Sequence, residues 1–125
     1  MAKGKILIAD DEVEVLEILA RKVRAEGYEV VTAQDGQEAL DKIYSESPDV
    51  ILLDIRMPKM DGFEVLKRLK GNPIPGKWQP VIIISALADL EDVKKGYNLE
   101  ADHYLVKPCD IWAIIKGIDL SLIHI

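Results

Sequence analysis

Apolar positions along the chain follow two alternating periods. Short, mostly continuous and β-branched runs, "KILIA" (5–9), "YEVVTA" (28–33), "DVILL" (49–53), "PVIIIS" (80–85) and "HYLVK" (103–107), predict five strands, β1 to β5, covered on both faces. Helical patterns lie between them. Val15, Leu16, Leu19, Ala20 and Val23 share one face of residues 12–26, the predicted α1, and Gly27 stands where a helix C-terminal glycine belongs. Asp35-x-x-Glu38 and Asp61-x-x-Glu64 each predict a capping residue with a reciprocal acid, opening α2 and α3. Residues 89–97 predict a shorter α4, and α5 runs from about 110 to 125.

Five βα repeats over residues 1–125 imply one α/β domain, a doubly wound parallel sheet with helices on both faces, because each crossover is right-handed and covers the sheet. Such a sheet places its site beyond the carboxyl ends of its strands. Those ends supply Asp10 and Asp11 after β1, Asp54 after β3, Ser85 after β4 and Lys107 after β5. "GNPIPGKWQP" (71–80), with three prolines and two glycines, reads as a surface connection in which Trp78 is a packed anchor.

Composition narrows the picture. A chain of 125 residues that is 49% hydrophobic builds one ordinary core. Val50–Leu53 and Val81–Ile84 are too short to cross a bilayer, and the first five residues lead into a strand rather than a signal peptide, so a soluble, cytoplasmic protein without a membrane partner is expected. Cys109 is the only cysteine and reads as a filler. A net charge of −6 without a basic cluster argues against direct nucleic-acid binding.

Taken singly, each acid has an ordinary structural reading: Asp11 caps a helix, Asp10 forms a turn, and Asp54 ends a strand before Pro58. Together they converge in this fold. Two unit charges about 4 Å apart repel by about 4 kcal/mol at an effective dielectric of about 20. A divalent cation relieves that repulsion, and an all-oxygen set with room for water and phosphate suits Mg²⁺. A metal and the Lys107 ammonium beside one carboxylate stabilise charge on a transferring phosphoryl group and make an aspartate an acceptable nucleophile.

Four segments, "ILIADDE" (6–12), "DVILLDIRMPKMDGFEVLKRLK" (49–70), "PVIIISA" (80–86) and "ADHYLVKPCD" (101–110), in this order and spacing, resemble the receiver (CheY-like) domain of the two-component response-regulator family over essentially the whole chain. The resemblance implies the flavodoxin-like (βα)5 fold with strand order 2-1-3-4-5. It implies Asp54 as phosphoacceptor, with Mg²⁺ held by Asp11 and Asp54 directly, by Asp10 through water and by the main-chain carbonyl of Arg56. Lys107 then pairs with the phosphoryl oxygens, Pro108 matches the family's Lys-Pro junction, Ser85 hydrogen-bonds the phosphoryl group and Tyr104 changes rotamer. The implied donor is a histidine kinase or phosphotransfer protein. A downstream protein or output domain reads the α4-β5-α5 face, which is also a candidate homodimer surface. The only chemistry implied is the domain's own phosphorylation and dephosphorylation.

Several positions depart from the family pattern. Arg56 and Leu87 stand two residues past Asp54 and Ser85 and lack a water-orienting acid or amide, which suggests a long-lived phosphorylated form. Glu100 stands where the family often has Gly, and Cys109 where Phe is frequent. "IWAIIKGIDLSLIHI" is apolar nearly all round, suggesting a partner or dimer surface, and His124 reads as incidental. Rival readings remain open. A flavin module would want donor-bearing loops where "ADDE" repels an anion, and an aspartate-nucleophile phosphatase would carry D-x-D after β1. A receiver-like scaffold that is never phosphorylated would not need the full acid, hydroxyl and lysine set.

Overall fold

A computed structural model describes residues 3–86, 90–107 and 110–123; Leu87, Pro108, Cys109, His124 and Ile125 lie outside them. Strands and helices alternate: β1 Lys5–Ala9, α1 Val13–Ala25, β2 Glu29–Ala33, α2 Gly36–Glu46, β3 Val50–Leu53, α3 Gly62–Gly71, β4 Val81–Ser85, α4 Leu90–Asn98, β5 His103–Val106 and α5 Ile111–Ile123. The five parallel strands are ordered β2-β1-β3-β4-β5, as the resemblance implied. β1 keeps its predicted span, and the other four strands are each one residue shorter, leaving out Tyr28, Asp49, Pro80 and Lys107.

Alternation across the pleat splits the core in two. Leu7, Ala9, Ile51, Leu53, Val81 and Ile83 pack on one face with α2 and α3. Ile6, Ile8, Val50, Leu52, Ile82 and Ile84 pack on the other with α1 and α5. Full burial of each such Leu or Ile is worth about 1.5–3 kcal/mol, which pins the strand register that aims the polar groups. The β2 edge is protected: Val30 and Thr32, whose carbonyls turn away from β1, have those oxygens bonded by Arg24 Nη2 at 3.3 Å and Lys42 Nζ at 2.6 Å.

Helix starts differ in part from expectation. Asp35 and Asp61 accept from the N–H groups of Glu38 (2.7 Å) and Glu64 (2.9 Å). The reciprocal acids go elsewhere: Glu38 accepts from Gln34 N–H at 2.7 Å, and Glu64 pairs with Arg68 at 3.0 Å, a partner one helical turn on. The residue before α1 is Glu12, whose side chain makes no cap bond, so Asp11 is not the cap. Gly27 follows α1 with φ 98°, the left-handed conformation predicted for it.

Trp78 is 43% exposed rather than a packed anchor; its neighbour Gln79 is buried and donates to Pro48 O at 3.0 Å. On α5, Ile114, Ile115 and Ile118 are buried, whereas Trp112, Leu120 and Ile123 stay exposed, so the apolar surplus read from the sequence lies on the surface. Among the described residues, no helix is long and apolar enough to cross a membrane.

Candidate functional site at the carboxyl edge of the sheet

Strand hydrogen bonding continues one residue past the strands that matter. Asp10 N–H donates to Ala33 O at 3.1 Å, Asp54 N–H to Ala9 O at 3.0 Å, and Lys107 N–H to Ser85 O at 2.7 Å. Each residue's Cα is therefore held by the sheet while its side chain projects beyond the last apolar layer. Both carboxylates are nearly out of solvent, Asp10 at 2% and Asp54 at 5% exposure, and Ser85 is fully buried.

Lys107 joins the two acids. Its Nζ lies 2.7 Å from Asp10 Oδ2 and 3.2 Å from Asp54 Oδ2. Asp10 Oδ1 accepts the Glu12 N–H at 3.0 Å, and Asp54 Oδ1 receives a long contact from Arg56 N–H at 3.4 Å. Asp11 is exposed and groups with Asp10 and Glu12, their carboxylate oxygens lying within 4.8 Å of one another. Asp54 stands outside that acidic group and connects to it through Lys107. Tyr104 is half-buried on β5, its ring beside Gly96 of α4, where an added Cβ would lie 3.0 Å from it.

The two acids do not share the ammonium equally. Burial pushes the Asp54 carboxyl up to about 6, and the Asp10 charge adds to that; Lys107 and the Arg56 N–H oppose the shift without cancelling it. Lys107 sits closer to Asp10. Burial works against its charged form, yet the Asp10 hydrogen bond and the charges of Asp54 and Asp10 outweigh burial and hold the ammonium above its ordinary value.

Among the described residues the site has more carboxylates than ammonium groups and offers oxygen donors, a set that suits a small hard divalent cation. Asp10 and Asp11, two of the residues that the resemblance assigns to Mg²⁺, stand in that acidic group, and Glu12 is an acid that the sequence reading did not single out. Also unforeseen is Gly62. An added Cβ there would lie 2.3 Å from the Asp54 carbonyl oxygen, so α3 starts hard against the backbone of Asp54. The available signal was a glycine directly after a capping Asp61, at a position where helices seldom want one.

Comparison with known proteins agrees with this fold. The family model described as response regulator receiver domain matches residues 6–119. A probable transcriptional regulator, ycf27, of Guillardia theta is 44% identical over 106 residues, 85% of this chain and 40% of that protein. The chain spans 40–43% of the length of the first curated relatives it matches. The receiver domain of the Francisella response regulator 1452 is 35% identical with a TM-score of 0.88, covering 95% of this chain and 96% of that one. The CheX–CheY–BeF3–Mg²⁺ complex of Borrelia burgdorferi contains a chain 31% identical with a TM-score of 0.86, covering 97% and 90%.

Proposed function

The chain belongs to the response-regulator receiver family, a signalling domain, and from that premise we propose that it accepts a phosphoryl group on Asp54. The observation that carries this reading is the Lys107 ammonium bridging two buried carboxylates, 2.7 Å from Asp10 and 3.2 Å from Asp54, at the strand ends. An Asp54 carboxylate oxygen attacks the phosphorus of a phosphohistidine. The P–N bond breaks, the imidazole leaves with the electron pair, and an acyl phosphate forms. Asp54 reaches this reaction with its main chain fixed to the sheet through its N–H to Ala9 O and its carboxylate seated against Lys107, which removes orientational entropy from the step. Lys107, already seated against Asp54, moves onto the incoming phosphoryl oxygens as they gain charge. Mg²⁺, when bound, neutralises the acids and the transferring group; a related CheY is known with Mg²⁺ and BeF3.

The donor is a histidine kinase or phosphotransfer protein, and the recipient of the signal is a downstream protein or an output domain, as expected from the named transcriptional regulators among the relatives. Ser85 and Lys107, tied through Lys107 N–H to Ser85 O, follow the new charge together, and Tyr104 beside Gly96 relays that movement to α4. Exposed Tyr97 and Val106 belong to the α4-β5-α5 face that would present the change to a partner or a second copy. Function requires only a few kcal/mol of differential contact between the two arrangements. Arg56 is exposed and offers no acid or amide, consistent with a slow loss of the phosphoryl group; Leu87 lies outside the described residues. A cytoplasmic location follows the family.

Incubation with a small phosphodonor and Mg²⁺, read by intact mass, is expected to add one phosphoryl group to the wild type and none to Asp54→Asn. Labelling that persists in Asp54→Asn rejects the assignment.

A further inference from the structure

The segment from Asp54 to Asp61 lies between two close approaches of backbone to backbone. On one side α3 begins: Gly62 N–H donates to Ile55 O at 2.8 Å, and an added Cβ at Gly62 would lie 2.3 Å from Asp54 O and 2.9 Å from Ile55 Cα. On the other side α2 begins. Gly36 N–H donates to Pro58 O at 3.3 Å, and an added Cβ at Gly36 would lie 1.8 Å from Met60 O and 2.7 Å from Met60 Cβ. Only a residue without a side chain lets α2 start there.

Two further contacts tie this stretch to the start of α2, and a third braces it internally. Lys59, at φ 68°, places its ammonium 3.4 Å from Asp35 Oδ2, and Met60 N–H donates to Pro58 O at 2.8 Å. Met57 and Met60 are buried in one cluster with Ala39, Leu40 and Ile43 of α2. So the stretch that follows Asp54 rests on a helix from a different βα unit, one that supplies no polar group to the site.

We propose that Gly36 is a positioning residue: by admitting the start of α2 against Met60, it sets residues 55–60 and through them the Asp54 carboxylate and the Arg56 main chain. The inference rests on the phosphoacceptor reading above. An alanine at 36 forces the Met60 carbonyl to retreat by more than a bond length. Gly62 is clamped on the Asp54 and Ile55 backbone, so the displacement is absorbed between residues 55 and 60, where Arg56 stands. A misplacement of about 1 Å beside a reacting group costs about 10²-fold in rate.

The test compares Gly36→Ala with two control variants in the full chain. Gly71→Ala adds a methyl where nothing lies within 4 Å, and Ile43→Val weakens the buried face of the same helix. In metal-free ¹H–¹⁵N spectra the Arg56 and Met60 amides are expected to move in Gly36→Ala and to stay in place in both controls. Titration with Mg²⁺ alone is expected to show binding weakened about tenfold in Gly36→Ala, and the rate of labelling by a small phosphodonor to fall about 10²-fold. A folded Gly36→Ala with unmoved Arg56 amide and unchanged Mg²⁺ affinity overturns the proposal, as does an equal change in Ile43→Val. Should Gly36→Ala not fold, Asp35→Asn decides. It keeps a capping acceptor but loses the attraction to Lys59, and it should shift the Arg56 amide and weaken Mg²⁺ about twofold, the scale of one exposed ion pair. No change in either quantity rejects the idea. A wild type that takes no phosphoryl group refutes the phosphoacceptor reading instead, and the Arg56 amide comparison remains informative without it.

Discussion

At the amino end of the sheet, Asp49 and Asp102 each close a ladder. Asp49 accepts the Lys5 N–H at 2.8 Å and returns its own N–H to Lys5 O at 2.7 Å; Asp102 does the same with Val81, at 2.7 and 2.8 Å. Lys77 adds an ammonium 3.1 Å from Asp49. At the carboxyl end, Asp10 and Asp54 divide one ammonium between them, and among the described residues the second oxygen of Asp54 has a single long backbone contact. The outcome follows partner supply. Burial raises the carboxyl of Asp49 too, but the Lys5 N–H and Lys77 outweigh it and hold Asp49 below its ordinary value, whereas Asp54 rises to about 6. One residue type thus serves as a strand clip where donors are plentiful. Where they are short it is a poised, underneutralised group, the condition expected of a site that awaits a cation and an anionic group.

The strongest way to break this contrast is to remove the shared ammonium. Lys107→Met should cost about 3 kcal/mol at pH 8, where Asp54 is charged, and far less near pH 5, where Asp54 takes a proton. Urea melts at the two pH values decide it; an equal loss at both would mean that the pair is not what strains this end. Removing a clip comes next. Asp49→Ala should cost about 2 kcal/mol, because it strips the Lys5 N–H of its acceptor, while labelling of Asp54 by a small phosphodonor stays normal.

Asp54→Asn should act in the opposite direction. Because the folded carboxyl lies near 6 and the unfolded one near 3.8, the folded chain binds more protons between these values, and stability falls as pH rises through that window. The asparagine variant should therefore gain about 1–2 kcal/mol at pH 7 and nothing at pH 4, as read by thermal melts. Asp49, with its folded carboxyl lowered, contributes stability above its ordinary value that is lost as pH falls, so the two ends impose slopes of opposite sign. Saturating Mg²⁺ should raise the melting temperature of the wild type and much less that of Asp54→Asn.

The smallest effect belongs to the turn before β5. Ala101 N–H donates to Gly96 O at 3.0 Å and Glu100 N–H to Tyr97 O at 2.9 Å, the bonding of a helix stop whose next residue is left-handed, and Glu100 sits there with φ 69°. Glu100→Gly should add about 1 kcal/mol by removing a side chain from that conformation, with no change in labelling. A destabilised glycine variant would show that the Glu100 side chain itself matters.

Much of this was legible along the chain. Continuous apolar runs ending in Asp10, Asp54 and Ser85 announce strands buried on both faces with polar tips, since only a sheet covered on both sides wants such runs. Asp35 and Asp61 show as caps because the capping bond is local, three residues long. The reciprocal acids went astray because Glu64 had a competing partner one turn away in Arg68. Trp78 was misread because a proline-rich connection carries no period from which burial can be inferred.

The order of apolar and polar positions was enough to determine five βα units and the edge to which the acids come, because periodicity and crossover handedness are local or topological properties. Tertiary packing alone decided that Lys107 lies nearer Asp10 than Asp54, that Asp11 groups with Glu12, and that Gly36 and Gly62 clamp the stretch after Asp54. Those depend on how closely backbones from separate units approach one another and on how many donors reach each buried oxygen, quantities that no spacing along the chain encodes.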